Sequence, residues 1–548
     1  MHSNFAAAII KAEYSRIQMR HDMTEDKRMA SKMNVRREEI MARFGGMGFH
    51  NSEAGQYRKM SDRQFNEVVG KIFHELSPGF SRIGGGYPNW TKQEMDDFAE
   101  YCEKMHCKTG TSIYLTGRCP RYHTEEELNT YAKDVADRLE YLIKEKGISN
   151  IQIYCMSNEL SLDDWGDLNF EMETFKRYHT HLYNEFRKRY LPVRLLATDA
   201  SPRERWETIE WAIANGMVPI SGVFGGHHYV NDFEPEDLDF YKIFKRQCSD
   251  VVVMLRPYER RFILGEFGLA QAFKQGKRDI NGVKMDVCDA FYNGKESYSA
   301  LQLCEMALAA MNAGVYSMAM WTFTDIPNPD GLTPRLNKWG LTRWDGEDYS
   351  ARDWLYAYGL FVKYFKYNSK PLTIETEDYL LRSGGVINDD GSFSVAVVNR
   401  HAEETELEIS LENLKPGKKV RKYVYDSNNV PRSAFADMQD YEELIDTESG
   451  VIRVKMPGNA IIMLTTDYTD EKPASVTGVC AKKGVVSWDA SADPTHVYYR
   501  VYRGETADFV PSKENQIAST IDIKCVDLDE KPGYYKVCSV NRSGNLSE

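Results

Sequence analysis

Between residues 44 and 325 the chain alternates short apolar runs with longer amphipathic stretches. Eight of the apolar runs have the length and the side chains typical of strands: 44–50, 79–85, 110–117, 151–159, 194–200, 220–229, 261–268 and 317–325. Strands that are apolar over most of their length indicate a parallel sheet covered by helices, because both faces of such a sheet are buried. Eight of them predict an α/β fold, a closed (β/α)8 TIM barrel. A doubly wound open sheet is the alternative, but no Gly-x-Gly-x-x-Gly follows the first strand.

Several stretches between the strands begin with a helix-capping signal. Thr91 is followed three residues later by Glu94, and Thr124 is followed by Glu127. In such a capping box the two side chains satisfy backbone donors at the start of a helix. Residues 298–313 are apolar on every side, which predicts a helix packed closely against the sheet.

The first 40 residues differ from the barrel segment, since they place Ile9, Ile10 and Ile17 among many charged residues. This spacing predicts a helical extension of the barrel. The first predicted domain, extension and barrel together, therefore spans residues 1–368.

Beyond residue 368 the helical pattern ends, and short segments alternate apolar and polar residues with Gly, Asp and Asn between them. This period-two pattern predicts an all-β sandwich over residues 369–470. Residues 473–548 carry Trp488 on an early strand and a tyrosine-rich late strand. In these features the segment resembles a fibronectin type III domain.

The composition is that of a globular protein, with 42% hydrophobic and 28% charged residues in a chain of 548. The formal charge of −13 argues against a nucleic-acid partner, which requires a basic surface. No apolar run approaches the roughly 18 residues of a membrane-spanning helix, so we expect no membrane partner. The 10 cysteines include no Cys-x-x-Cys pair, and no convincing export signal is present. These observations predict a cytoplasmic protein with reduced thiols.

Polar or aromatic residues lie at the ends of the predicted strands. In a TIM barrel these positions line the active site, because the loops that follow the strands form its mouth. The strand-end residues are His50, Arg82, Asn158, Glu159, Asp199, His227, Tyr229, Glu266, Trp321 and Asp325.

Glu159 and Glu266 stand out because each ends an otherwise apolar strand, where an unpaired carboxylate is costly to bury. They end the fourth and the seventh strand, which can face each other across a closed barrel. Two facing carboxyl groups are what the cleavage of a glycosidic bond requires. We therefore predict that Glu159 and Glu266 are catalytic. The predicted sugar-binding residues are Asn158, Arg82, His227, Tyr229, Trp321, His50 and Asp325.

The motifs around these residues resemble those of the clan A glycoside hydrolases, whose members place both catalytic glutamates on strands four and seven. Asn158-Glu159 looks like the acid/base motif of the clan. Gly265-Glu266 looks like its nucleophile motif in the cellulase-type family 5. Residues 321–325 are similar to the strand-eight motif of family 39, and the order barrel, sandwich, third domain resembles the iduronidase branch of that family.

This resemblance implies a retaining mechanism in which Glu266 forms a covalent glycosyl-enzyme and Glu159 acts first as acid and then as base. His227-x-Tyr229 resembles the clan motif whose tyrosine contacts the nucleophile, and Arg82 matches an arginine that binds the same carboxylate. One departure from family 39 is Ser157, where that family has tryptophan before the Asn-Glu pair.

The leading hypothesis is a retaining β-glycosidase that acts on the ends of short oligosaccharides or glycosides. An endo-acting enzyme of cellulase type and a catalytically silent carbohydrate-binding protein are the alternatives. We expect a small carbohydrate as substrate and no cofactor. We also expect no metal, since His179 and His181 point apart on one helix and could not bind the same ion. The resemblance and the two appended β domains favour a homo-oligomer. The sequence does not identify the sugar of the substrate. A uronic acid would require a basic group in the site, for which the candidates are Arg118, Arg121 and Lys274.

Overall fold

The computed structural model describes most of the chain from residue 30 to residue 548. The described residues are 30–84, 90–117, 124–160, 168–201, 203–230, 239–269, 273–280, 283–289, 296–328, 335–344, 351–415, 417–447, 449–527, 529 and 533–548. The part of the predicted helical extension that precedes residue 30 lies outside these ranges.

The described strands are numbered in chain order. They are β1 (Ser31–Glu39), β2 (Met47–His50), β3 (Phe80–Gly84), β4 (Ser112–Thr116), β5 (Ile151–Cys155), β6 (Arg194–Ala200), β7 (Val223–Val230), β8 (Phe262–Leu269), β9 (Phe273–Ile280), β10 (Val283–Asp289), β11 (Ser317–Met320), β12 (Ile326–Asn328), β13 (Arg335–Lys338), β14 (Lys370–Thr376), β15 (Leu381–Ile387), β16 (Phe393–Asn399), β17 (Thr405–Glu412), β18 (Val420–Asp426), β19 (Glu443–Ile445), β20 (Val451–Met456), β21 (Ala460–Thr465), β22 (Cys480–Lys482), β23 (Val485–Ser487), β24 (His496–Gly504), β25 (Gln516–Thr520), β26 (Lys524–Val526) and β27 (Tyr534–Asn541).

The α-helices are numbered in the same way. They are α1 (Gly70–Leu76), α2 (Lys92–Cys102), α3 (Glu125–Glu140), α4 (Leu168–Lys188), α5 (Glu207–Ala214), α6 (Phe240–Leu255), α7 (Glu296–Ala313) and α8 (Trp354–Tyr364). Within the described ranges, no helix is both long enough and apolar enough to cross a membrane.

Eight parallel strands close into a barrel in the order β11, β2, β3, β4, β5, β6, β7, β8. Each of them lies within or overlaps one of the eight runs predicted from the sequence, so the TIM-barrel prediction is confirmed. Their side chains are almost all buried, which is why the runs are apolar rather than alternating. The register pairs His50 with Arg82 and His227 with Glu266, so each pair lies side by side on neighbouring strands of the barrel.

The helices around the barrel begin and pack as their sequences predict. Thr91 caps α2 and Thr124 caps α3, and in both helices the glutamate three residues later completes a capping box. Helix α7 is buried along nearly its whole length, as its apolar sequence requires.

The second domain contains a nine-stranded sheet in the order β19, β18, β21, β16, β15, β14, β1, β17, β20. One apolar core joins side chains from both halves of this sheet, including Val35, Phe393, Leu407 and Leu464. The prediction of a mostly β second domain after the barrel is thus confirmed.

Strand β1 corrects the prediction of a helical extension for residues 31–39. It pairs antiparallel with β14 and parallel with β17, as an interior strand of the sheet of the second domain. Met33 and Val35 face the core at a spacing of two residues, which is the period of a strand. Among the residues described from position 30 onward, the chain therefore contributes one strand to this domain before it enters the barrel.

The last segment is rich in sheet, with two antiparallel three-stranded sheets in the orders β22, β23, β26 and β25, β24, β27. Trp488 and Tyr499 meet in its core, with ring centroids 5.3 Å apart. Its likeness to a fibronectin type III domain stays a prediction.

Candidate active site

The two predicted catalytic glutamates face each other at the C-terminal end of the barrel. Glu266 lies on β8, and Glu159 follows β5 with a left-handed backbone, φ 53°. Single carboxylate oxygens of these residues and a ring nitrogen of His227 all lie within 4.8 Å of one another. The barrel thus joins residues that are more than one hundred positions apart in the sequence.

The two carboxyl groups differ in their surroundings. The side chain of Glu266 is only 4% exposed, whereas that of Glu159 is 41% exposed. Each oxygen of Glu266 accepts a hydrogen bond, Oε1 from Arg82 Nη1 and Oε2 from the hydroxyl of Tyr229. Glu266 is therefore held on both oxygens, while Glu159 remains accessible to a ligand.

Arg82, on β3, is fully buried and connects three strands. Besides Glu266, its guanidinium donates to Asn158 Oδ1 at 2.6 Å and to Asp199 Oδ2 at 2.9 Å. Asn158 follows β5, and Asp199 lies on β6. The planar guanidinium suits this role, since its donors are fixed in direction and it stays charged.

His227, on β7, lies between the two glutamates and Asp199. Its Nδ1 is 3.2 Å from Glu159 Oε1 and 3.7 Å from Glu266 Oε2, and its Nε2 is 3.0 Å from Asp199 Oδ1. Burial by itself lowers the pKa of His227, but the charges of Asp199 and Glu266 outweigh it and raise the pKa to about 10. The ring is therefore positively charged at neutral pH.

The pKa values of the two glutamates move in opposite directions. Burial raises the pKa of Glu266 above its ordinary value, although the charges of Arg82 and His227 oppose this. Burial also acts on Glu159, but the hydrogen bond from His227 and the nearby charge of Arg82 outweigh it and lower the pKa of Glu159. A sugar bound against Glu159 would remove water from it, and desolvation raises the pKa of a carboxyl group.

The rings of Trp321 and His50 lie against each other at the same end of the barrel as the two glutamates. Trp321, after β11, is half-buried, and its ring centroid is 4.4 Å from that of His50 and 6.4 Å from that of Trp339. Burial and the charge of Arg82 lower the pKa of His50 well below its ordinary value, so this ring is neutral. A neutral imidazole next to an indole face provides both a stacking surface and a hydrogen-bonding edge.

Asp325, a predicted sugar ligand, has several partners within the protein. Its side chain is buried, and its oxygens accept two hydrogen bonds from Arg352, at 2.7 Å and 2.8 Å. The backbone N–H of Gly340 also donates to Asp325 Oδ1 at 2.9 Å. With these partners Asp325 joins the segments after β11 and β13, and its role as a sugar ligand stays a prediction.

Two residues of the site received no role from the sequence. Asp199 was recognisable as a polar residue at the end of an apolar strand, the signal that identified the glutamates. Trp339 follows β13 and carried no such signal, because its position depends on how that segment folds back to Trp321. Of the basic residues considered for a uronic acid, Arg118 and Arg121 lie outside the described residues, as does the side chain of Lys274.

Glu159, His227 and Glu266 could hold a metal ion by distance alone, since they offer three ligand atoms close together. A histidine that binds a metal must be neutral, however, and the raised pKa of His227 favours its charged form. That the site works without a metal stays a prediction.

Fold and site together define a TIM barrel with a pair of facing carboxyl groups at its mouth. No protein-family model matches the chain. No curated protein matches it by sequence.

The solved structures of similar fold include glycoside hydrolases. The catalytic domain of the family 30 xylanase C from Talaromyces cellulolyticus has a TM-score of 0.56 at 13% identity, covering 79% of this chain and 99% of that one. An endo-β1,6-glucanase has a TM-score of 0.55 at 12% identity, covering 81% of this chain and 95% of that one. A bacterial orthologue of human α-L-iduronidase has a TM-score of 0.58 at 13% identity and covers 95% of this chain and 99% of that one. These likenesses establish the shared fold, and families 39 and 5 are not singled out by them.

Proposed function

We propose that the protein is a retaining glycoside hydrolase in which Glu266 is the nucleophile and Glu159 is the acid/base. The observation that carries this proposal is the close approach of the two carboxyl groups, with oxygens within 4.8 Å of each other. Retaining enzymes keep their carboxyl groups about 5–5.5 Å apart, whereas inverting enzymes leave room for a water molecule at about 6.5–9.5 Å.

The different surroundings of the two groups support the assignment of roles. A nucleophile should be ionised and fixed in direction, and Glu266 accepts a hydrogen bond on each oxygen. An acid/base must reach the leaving oxygen and later a water molecule, and Glu159 is the more exposed of the pair. The half-buried Trp321 offers the aromatic surface on which a sugar ring stacks.

The proposed reaction has two steps. In the first, a carboxylate oxygen of Glu266 attacks the anomeric carbon while Glu159 gives its proton to the glycosidic oxygen, and the bond to the leaving group breaks. In the second, Glu159 takes a proton from water, the water oxygen bonds to the anomeric carbon, and Glu266 leaves as a carboxylate. The sugar keeps its anomeric configuration because each step inverts it once.

We propose that the substrate is a glycoside or short oligosaccharide attacked at its end. The fold shared with the iduronidase orthologue over 95% of this chain supports an enzyme that acts on a glycoside. The alternative is an endo-acting enzyme, which the fold shared with an endo-β1,6-glucanase favours. Product analysis on a longer oligosaccharide separates the two, since end attack releases one unit at a time.

The test of the proposed function is covalent labelling with a panel of 2-fluoro glycosides, followed by mass analysis of intact protein and peptides. We expect one stable adduct, on Glu266, and no adduct in Glu266→Gln. The matched control is Glu210→Gln, which changes an exposed glutamate on α5 and should be labelled like the unmodified protein. An adduct on another residue, or none with every sugar tested, would contradict the assignment.

The role of Glu159 is tested with aryl glycosides of different leaving groups. Glu159→Ala should cost about 10²–10⁴-fold in glycosylation rate with poor leaving groups and little with good ones, because only poor ones need a proton. An equal loss with all leaving groups would be inconsistent with an acid/base.

A further inference from the structure

Asp199 links both proposed catalytic glutamates through two positively charged side chains. It lies on β6 with a left-handed backbone, φ 58°, and its side chain is fully buried. Oδ2 accepts from Arg82 Nη2 at 2.9 Å, and Oδ1 lies 3.0 Å from His227 Nε2. Arg82 in turn holds Glu266, and His227 holds Glu159.

When Glu159 and Asp199 are both ionised, the geometry around His227 calls for a protonated ring. Nε2 faces a carboxylate oxygen of Asp199, and Nδ1 faces a carboxylate oxygen of Glu159. A neutral imidazole has one donor nitrogen, so it could donate to only one of the two. An imidazolium donates to both, and Asp199 is the partner that is fully buried with it.

Gly265 shows how closely the chain is built around this contact. A Cβ atom at position 265 would lie 2.8 Å from Asp199 Oδ1 and 3.0 Å from His227 Nε2. Any side chain before the nucleophile would therefore press into the hydrogen bond between Asp199 and His227. This contact gives a physical reason for glycine next to Glu266.

We propose that Asp199 is a positioning residue that keeps His227 an imidazolium directed at Glu159, so that one and only one of the two glutamates is ionised at each step. The inference rests on the proposed function. Arg82 and His227 supply two positive charges and Asp199 one negative charge, which leaves a background of +1. One negative charge balances this background.

The balancing charge changes place during the proposed reaction. Once a sugar is bound and removes water from Glu159, the charge lies on Glu266 and Glu159 carries a proton. In the glycosyl-enzyme Glu266 is an ester and Glu159 is the anion. The buried cluster is neutral in both states, and neutrality is what a site with little water favours.

Several other groups face His227 and affect its charge. The charge of Glu266, on β8, raises the pKa of His227, whereas the charge of Arg82, on β3, lowers it. His50 on β2 is neutral, and the Tyr229 phenol on β7 donates to Glu266, which keeps it protonated. Tyr114, on β4, stays neutral because burial raises the pKa of its phenol well above the ordinary value. Asp199 is the carboxyl group that directly accepts from Nε2.

The test is the titration of His227, read by imidazole nitrogen resonances of the labelled full-length protein. The chain has 12 histidines, and the resonance that disappears in His227→Gln assigns the one of interest. In Asp199→Asn we expect His227 to lose its proton about two pH units lower than in the unmodified protein, since an opposite charge this close contributes 1–3 units. Asp250→Asn, on the exposed face of α6, is the matched control.

Gly265→Ala is the second variant, because it disturbs the same contact without removing a charge. In this variant too, His227 should lose its proton at a lower pH than in the unmodified protein. Melting curves are the measurement that checks whether both variants are folded. An unchanged titration in both folded variants overturns the proposal.

The pH profile of kcat/KM is a readout that a merely structural role would not move. Replacing the pair Asp199 and imidazolium by asparagine and imidazole leaves the total charge unchanged but removes the positive charge nearest to Glu159. The profile of Asp199→Asn should therefore move to higher pH by about one unit. A fall in rate without such a movement contradicts the inference. If the unmodified protein hydrolyses no glycoside, the proposed function fails, while the titration of His227 still tests the role of Asp199.

Discussion

At the scale of single residues, the site depends on side chains that orient one another before any sugar binds. Arg82 is buried with two carboxylates and one amide as acceptors. A buried cation is stable only when such partners offset its loss of water, so each of them also fixes the position of the guanidinium. Glu266 is thereby held by a group that is itself fixed.

Tyr229 is the second hydrogen-bond donor to Glu266. Removing its hydroxyl tests how much this hydrogen bond contributes to the reaction. A hydrogen bond to a charged group contributes about 1.5–3 kcal/mol, so Tyr229→Phe should lower kcat/KM by about 10–100-fold. The measurement uses an aryl glycoside that the unmodified protein hydrolyses. Tyr131→Phe is the control, because this hydroxyl contacts Tyr154, away from the glutamates. An equal loss in both variants would contradict the role of Tyr229.

His179 predicts an acid-sensitive stability. Burial lowers the pKa of His179 to about 4. As the pH falls from about 6.5 to about 4, the unfolded chain takes up a proton at this ring and the folded chain does not, so stability decreases by about 1.4 kcal/mol per pH unit. His179→Gln should flatten this part of the curve of melting temperature against pH. His181→Gln, on the same helix, changes a half-exposed ring and should not flatten it.

At the scale of elements, β1 shows why the helical prediction for residues 31–39 was wrong. The segment is short and highly charged, and only Met33 and Val35 are buried, so its period-two signal rests on two residues. Pairing with β14 and β17 supplies the rest of the stabilisation. Tertiary pairing overrides a weak local preference of this kind.

The structural role of β1 can be tested at Val35, which is fully buried between its neighbours. Val35→Asp places an unpaired charge in the core of the second domain and should lower the free energy of unfolding by about 3 kcal/mol or more. Melting temperature is the measurement. Lys32→Asp introduces the same side chain at an exposed position of the same strand and should have little effect. Equal melting temperatures would show that β1 does not support the domain.

At the scale of the whole molecule, a buried ion cluster joins all three parts of the chain. Lys71, on α1 of the barrel domain, contacts Glu75 at 2.8 Å and Asp437 of the second domain at 2.6 Å, and its ammonium lies 4.7 Å from the ring centre of Tyr498. Asp437 also pairs with Arg500 of the third domain at 3.3 Å. The third domain is therefore attached through a buried polar contact rather than by its linker alone.

Removal of Lys71 should loosen this junction. Lys71→Met leaves two buried carboxylates with one cation fewer, which costs about 3–5 kcal/mol for a buried pair. We expect a lower melting temperature and faster release of the third domain by a protease. Lys455→Met, which removes an exposed lysine of β20, is the control and should change neither measurement. Unchanged proteolysis in Lys71→Met would show that the cluster does not hold the domains together.

The sequence by itself determined the barrel, the β-rich second domain and the pair of strand-end glutamates. These follow from local pattern, because a strand buried on both faces must be apolar and a carboxyl group at its end needs a partner. Only the tertiary structure decided that β1 belongs to the second domain, that Asp325 binds Arg352, and that Asp199 contacts both Arg82 and His227. Each of these contacts joins residues far apart in the chain, and such partners are chosen by packing and charge in the folded molecule, which no local pattern records.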